Sequence, residues 1–188
     1  MKITDIDIIP QNIPDILLIK PNVFKDERGY FTETYNLKKY DKIFDKKIDF
    51  VQDNESKSTK NVLRGLHFQI PPFAQSKLIR VIEGEILDIC VDIRVKSKTF
   101  GKYVAIIISS NNLHQLYIPK GFAHGYLVIS NEAIFSYKVD NYYSPEHQRG
   151  ICYDDPLISI NWMYDSSKFI ISEKDKSLPC LNEIKNLL

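Results

Sequence analysis

The chain reads as a mainly β protein, a sandwich or small barrel with few helices. Two observations predict this. From Lys77 to Val139, short stretches rich in Ile, Val, Leu and Tyr recur at close spacing between turn residues. In the longest, Glu85 to Arg94, the residues alternate strictly, with Leu87, Ile89, Val91 and Ile93 on one face and Asp88, Cys90, Asp92 and Arg94 on the other. A third observation concerns chemistry. The stretch from Val62 to Arg80 sets Arg64, His67, Gln69 and Lys77 among apolar neighbours. Such groups are costly to bury unless they are paired or face a wet cavity. A cavity holding a proton-transfer group, a cation and hydrogen-bond donors has the makings of an active site. The plainer reading is a core histidine bonded to a backbone carbonyl, with Arg64 and Lys77 at the surface.

Taken in order, residues 5–24 are short apolar runs broken by Pro10, Pro14 and Pro21, so Ile16–Ile19 and Asn22–Phe24 read as edge or turn-flanked strands. Gly29 marks a turn, and Tyr30 to Tyr35 resumes as a strand. Asn36 caps a helix of about two turns from Leu37 to Phe44. Phe50 to Ser56 is a strand running into a polar loop. Strands follow at Val62–Gln69, Leu78–Ile82, Glu85–Arg94, Tyr103–Ser109 and Leu116–Ile118, with a turn at Glu83–Gly84. Pro119 to Gly125 reads as a Pro/Gly-rich turn carrying His124. Gly125–Ile129 and Ala133–Val139 are further strands, and in the second the alternation points Tyr137 inward with Phe135. The tail from Asp140 is loop-rich, with short helices expected around Ser167–Ile171 and Leu181–Leu188. No linker divides the chain, so residues 1–188 are expected to form one domain.

Charge and composition exclude several classes. Lys plus Arg is 25 against 24 for Asp plus Glu, with no charged block, so neither nucleic-acid binding nor an acidic tail is expected. No signal peptide is expected, and no run approaches the ~18 apolar residues of a membrane span. Cys90, Cys152 and Cys180 are odd in number and lack metal-ligand spacing, which predicts free thiols in a reducing cytoplasm. Dinucleotide-binding, P-loop and zinc-protease motifs are missing. Pro119-x-Gly-x-x-His124 resembles the second motif of cupins, but the first site reads His67-Phe-Gln69 where metal-binding cupins offer His-x-His. Two histidines hold a transition metal poorly, so no metal is expected.

A set of motifs spans the chain in order: Phe24-x-Asp-x-Arg-Gly-x-Phe, Phe50-Val-Gln-Asp-Asn-x-Ser, Val62-Leu-Arg-Gly-Leu-His-Phe-Gln, Lys77-Leu-x-Arg-Val, Pro119-x-Gly-Phe-Ala-His-Gly, Tyr137-Lys-x-x-x-Tyr-Tyr-Ser-Pro, Asp154-Asp-Pro and Ser172-x-Lys-Asp. Over residues 12 to 182 the chain thereby resembles the deoxysugar-nucleotide epimerases, the dTDP-4-dehydrorhamnose 3,5-epimerase family. The resemblance implies a cupin-type jelly roll, a homodimer, a dTDP-4-keto-6-deoxy sugar substrate, and no metal or redox cofactor. It places the catalytic base on His67, its supporting carboxylate on Asp175, the proton-donating tyrosine on Tyr137 and the lysine beside the substrate carbonyl on Lys77. It places nucleotide-sugar contacts on Arg28, Glu33, Gln52, Asn54, Arg64, His124 and Lys174, and base stacking on Tyr143, with Tyr142 as the near alternative. Gln148 stands where the family commonly has Glu, at a further substrate contact. Asp26–Tyr35 is the segment expected to cross between subunits.

The residue types suit the chemistry. A ketone at C4 acidifies the protons at C3 and C5, and epimerisation needs a base, an opposed acid and a group to stabilise the enolate. Imidazole suits the base, a paired carboxylate orients it, and a lysine in a low-dielectric site stabilises an oxyanion. Arg28 and Arg64 suit a diphosphate. The alternatives are an epimerase acting at one carbon alone or a keto-isomerase on a related nucleotide sugar, a non-catalytic sugar-binding cupin, and a metal-dependent oxygenase. An opposed acid and base argue against the binding module, and Gln69 argues against the oxygenase.

Overall fold

The structure is a computed structural model that describes residues 2–3, 6–44 and 47–187. The chain begins with strands β1 (Lys2–Ile3), β2 (Ile6–Ile9) and β3 (Leu17–Lys20), a small hairpin of β4 (Phe24–Asp26) and β5 (Gly29–Phe31), and helix α1 (Leu37–Phe44). Eight strands follow: β6 (Gln52–Thr59), β7 (Val62–Gln69), β8 (Lys77–Glu83), β9 (Glu85–Asp92), β10 (Tyr103–Ser109), β11 (Gln115–Ile118), β12 (Phe122–Val128) and β13 (Glu132–Val139). The tail carries β14 (Gln148–Gly150), β15 (Ile170–Ile171), α2 (Glu173–Lys176) and α3 (Leu181–Ile184), with 3-10 turns at Pro145–His147, Ser166–Lys168 and Lys185–Leu187.

Two sheets face each other across the main core. The first has the order β1-β2-β3-β11-β8-β13-β6 and the second β10-β9-β12-β7-β14, with β15 added in parallel to β7. From β6 to β9, and again from β10 to β14, successive strands lie in opposite sheets, so the chain winds around the interior as a jelly roll does. The mainly β expectation is met. Between the sheets pack Ile79, Val81, Ile86, Cys90, Leu116, Phe122, Tyr126 and Phe135. Helix α1 covers the outer face of the first sheet, setting Tyr40, Ile43 and Phe44 against Ile19, Leu78 and Tyr117. Its start is capped as expected, with the Asn36 side-chain oxygen accepting from the Lys39 N–H at 3.4 Å. The tail covers the outer face of the second sheet, where Trp162, Ile158, Leu181 and Ile184 pack on Leu63, Leu87, Ile89 and Val91.

The alternation in β9 therefore holds. Its fully apolar face is the outer one, sealed by the tail, while Asp88 and Cys90 point into the barrel. Other expectations change at their edges. The turn before β12 ends at Gly121, whose φ of +89° supplies the reversal. His124 lies mid-strand, because every residue from Phe122 to Val128 is buried and β12 pairs with β9 and β7 on its two sides. The strand expected over Tyr30–Tyr35 stops at Phe31, and β6 runs on to Thr59 as a polar strand. Around Ser167–Ile171 only one 3-10 turn forms before the chain joins β7 as β15. The helix expected over Leu181–Leu188 is α3 continued by a 3-10 turn to Leu187, and Leu188 lies outside the described residues, as do Met1, Thr4 and Asp5 of the N-terminal alternation.

One local feature sets the site. Gly65 sits at a register shift where β7 meets β12, at φ +129°. The extra residue lets Arg64 and His67, three apart, share the inner face. A Cβ on Gly65 would fall 2.5 Å from the Gly125 Cα and 3.0 Å from the His124 carbonyl oxygen. Gly65→Ala is therefore expected to destabilise the fold by about 2 kcal/mol or more, from backbone strain plus the clash. Chemical denaturation checks this, and an unchanged midpoint would contradict the need for a bare backbone there.

Candidate active site

Register decides which side chains share the interior. In the first sheet Tyr137 lies between Asn54 and Ile79, and Val139 lies between Gln52 and Lys77. Ile79 and Phe135 belong to the inter-sheet core, so Lys77, Tyr137, Gln52 and Asn54 project from the same face. In the second sheet His67 lies opposite His124, which lies opposite Cys90, and Arg64 lies opposite Tyr126. Cys90 and Tyr126 are interior, which puts His67, His124 and Arg64 on the facing wall. Side-chain bonds span the sheets, among them Ser56 Oγ to Tyr126 Oη at 2.9 Å and Arg64 Nε donating to Ser58 Oγ at 3.1 Å.

His67 Nε2 lies 2.8 Å from Asp175 Oδ1. The other carboxylate oxygen of Asp175 accepts from the Gly65 N–H at 3.1 Å, so one acid side chain holds both the bulge and the imidazole. Asp175 comes from α2, whose start is capped by Ser172 Oγ accepting from the Asp175 N–H at 3.1 Å. Burial pushes the Asp175 carboxyl up, but bonds from His67, Gly65 and Ser172 outweigh it and hold the group below its ordinary value. An ionised Asp175 only accepts, so in the neutral imidazole Nε2 of His67 carries the proton and Nδ1 the lone pair. That is the protonation pattern of a general base.

Three further titrating groups are tuned by burial. Tyr137 is raised by desolvation, and its phenol stays protonated at neutral pH. Lys77 is lowered to about 8, again chiefly by desolvation, with Cys90 and Asp88 opposing. His124 donates or accepts at Nε2 with Asp88 Oδ2 at 2.8 Å, both groups being buried, and desolvation lowers its pKa against the pull of Asp88.

The rim is a chain of polar contacts. Tyr143 Oη donates to Gln148 Oε1 at 2.6 Å, and Lys174 Nζ donates to the same oxygen at 3.0 Å. The Tyr143 N–H donates to Gln52 Oε1 at 3.3 Å, and Gln52 Nε2 donates to Asn54 Oδ1 at 2.8 Å. Lys174, Gln148, Tyr143, Gln52 and Asn54 are thus one connected edge. Arg28 and Glu33 are placed elsewhere. Arg28 lies on the exposed β4–β5 hairpin and pairs with Asp26, while Glu33 pairs with Lys39 at 2.9 Å beside α1. Gln69 is committed to backbone, donating to the Phe73 and Tyr142 carbonyls and accepting from the Ser144 N–H at 2.7 Å. A surface cleft of about 720 Å³ between Tyr153 and Ser166 contains none of these residues.

Sequence reasoning missed Gly65, Asp88 and Ser172. Asp88 was visible as a carboxylate on an alternating strand, and Ser172 as a cap three residues before Asp175. Lys77 yields a prediction. If its ammonium faces a developing oxyanion, kcat/KM falls as pH rises through about 8. Folding runs the other way. Between about 8 and the ordinary value of 10.5 the unfolded chain binds more protons, so the Lys77 contribution to stability grows with pH across that window. In Lys77→Arg the alkaline limb of activity should move out of range; an unmoved limb would assign it to another group.

Comparison with known proteins identifies the family. The family model described as dTDP-4-dehydrorhamnose 3,5-epimerase matches residues 10–183. A dTDP-4-dehydrorhamnose 3,5-epimerase of Shigella flexneri is 50% identical over 169 residues, covering 90% of this chain and 92% of that protein. The crystal structure of dTDP-6-deoxy-D-glucose-3,5-epimerase from Legionella pneumophila, in complex with dTDP-4-keto-L-rhamnose, is 44% identical with a TM-score of 0.92, covering 95% of this chain and 94% of that one. A 3'-monoepimerase from Streptomyces bikiniensis, in complex with dTDP-quinovose, is 26% identical with a TM-score of 0.88, covering 95% and 89%. The fold, the matched length and the identity agree, and the chain belongs to the dTDP-4-dehydrorhamnose 3,5-epimerase family.

Proposed function

We propose that residues 1–188 act as one cupin epimerase domain, an isomerase that inverts C3 and C5 of dTDP-4-keto-6-deoxyglucose to give dTDP-4-keto-L-rhamnose. The observation that carries the reading is the 2.8 Å pair of His67 and Asp175 on a wall facing that of Tyr137 and Lys77. His67 Nδ1 takes the proton from the carbon beside the ketone. The electrons move to the C4 oxygen, where the Lys77 ammonium offsets the charge. Tyr137 Oη returns a proton to the opposite face, and the imidazolium and phenolate exchange protons with solvent before the second centre reacts. Arg64 and Lys174 supply cations for the diphosphate, and Tyr143 supplies an aromatic face for the base.

The protein acts as a cytoplasmic homodimer in this proposal. Three free thiols suit a reducing compartment. The β4–β5 hairpin holds Phe24, Tyr30 and Phe31 more than half exposed, an apolar surface suited to a second copy. Crossing to that copy would carry Arg28 to the partner's rim.

A second reading, inversion at one carbon alone, is the activity named for a 3'-monoepimerase of the same fold that is 26% identical to this chain. Turnover in deuterated water decides between them. Label and inversion at both C3 and C5 is expected, and label at one carbon alone would support the second reading. His67→Asn should lose turnover by on the order of a hundred- to ten-thousand-fold while still binding dTDP. Tyr137→Phe should still exchange label but fail to invert; unchanged inversion would assign the acid to another group.

A further inference from the structure

Two thiols in the tail serve none of these steps. Cys152 follows Ile151, which exchanges both backbone hydrogen bonds with Leu66, the neighbour of His67. Cys180 precedes α3, and the Cys152 N–H donates to the Pro179 carbonyl at 2.9 Å. The two Sγ atoms lie 3.3 Å apart. Asp155 completes a three-residue cluster with them, but its oxygens are engaged. Oδ1 accepts from the Leu157 and Ile158 N–H groups, and Oδ2 accepts from the Leu181 N–H at 2.7 Å. Such a carboxylate holds a turn and a helix start, and the chemistry left to the cluster is between the sulfurs.

We propose that Cys152 and Cys180 form a reversible redox site whose disulfide staples the segment between them to the strand bearing His67. The bond needs the sulfurs to close by about 1.3 Å, from 3.3 Å to the ~2.05 Å of a disulfide. It would enclose a 28-residue separation that includes β15, α2 and Asp175. The oxidant is a low-molecular-weight disulfide of the glutathione type. Cys180 is partly exposed and meets it first, whereas Cys152 is buried and its thiol is held at about 12 by burial and by Cys180. The Cys180 thiolate attacks one sulfur of the oxidant and expels one thiol, leaving a mixed disulfide. Cys152 then gives up its proton, attacks the Cys180 sulfur and expels the second thiol. Two protein S–H groups become one S–S bond, and the oxidant becomes two thiols. The reading is independent of the epimerase assignment, because its readouts are mass and stability.

The test treats the full chain with glutathione disulfide, alkylates the remaining thiols and maps the peptides. A Cys152–Cys180 cross-link is expected, with Cys90 unmodified until denaturation. The melting temperature should rise by roughly 5–10 °C over the reduced protein and fall back on reduction with dithiothreitol. Cys180→Ser should melt like the reduced protein and ignore the oxidant. Glutathione retained on Cys180 without a cross-link would overturn the proposal. So would a cross-link that leaves the melting temperature unchanged, or one zinc ion per chain protecting both thiols from oxidant.

Discussion

The carboxylate of Asp175 joins the two parts of the molecule that chemistry needs together. It is buried, yet both oxygens are bonded to β7, one to the His67 ring and one to the Gly65 N–H. A buried carboxylate without partners is costly, and here the His67 ring and the Gly65 N–H offset that cost. The consequences spread outward. Holding Gly65 fixes the bulge, the bulge turns Arg64 and His67 to one face, and the tail must lie across the second sheet to deliver α2. The packing of Trp162, Ile158 and Leu181 on that sheet therefore positions the site as well as stabilising the fold.

A second constraint is the reversed polarity of the inner wall. The barrel interior holds Asp88, His124, Lys77 and Cys90 beside Ile79 and Phe135. Asp88, His124 and Cys90 persist there because they are paired: removing one partner of the Asp88–His124 bond would leave the other unsatisfied at about 1–3 kcal/mol. Fully buried apolar side chains such as Leu87, Ile89 and Val91 supply the compensating stability, at roughly 1.5–3 kcal/mol each. The fold thus keeps a chemically active interior by building dense apolar layers outside it.

Much of this was legible in the chain, and the failures have physical causes. Strict alternation in β9 and β13 set the strands and the inward direction of Tyr137. Alternation cannot say which face a tail will cover, so the sequence left open that the apolar face of β9 is the outer one. Pro119 and Gly121 masked the start of β12, because Gly125 looked like a turn residue when its role is to admit the Gly65 backbone. Helix α2 is too short and too charged to show a period, and only its Ser172 cap hinted at it. The rim from Lys174 to Asn54 needed the fold, since its members lie on four separate segments.

The central claim is that Asp175 holds His67 in the basic tautomer. It is tested most directly by the rate at which Asp175→Asn exchanges substrate hydrogen at C3 and C5 with deuterated solvent. An asparagine keeps the size of the side chain but can donate to Nε2 and favour the wrong tautomer. The account predicts exchange slowed by on the order of a hundred- to ten-thousand-fold, with dTDP binding retained. Exchange at a near-unaltered rate in a folded variant would contradict it.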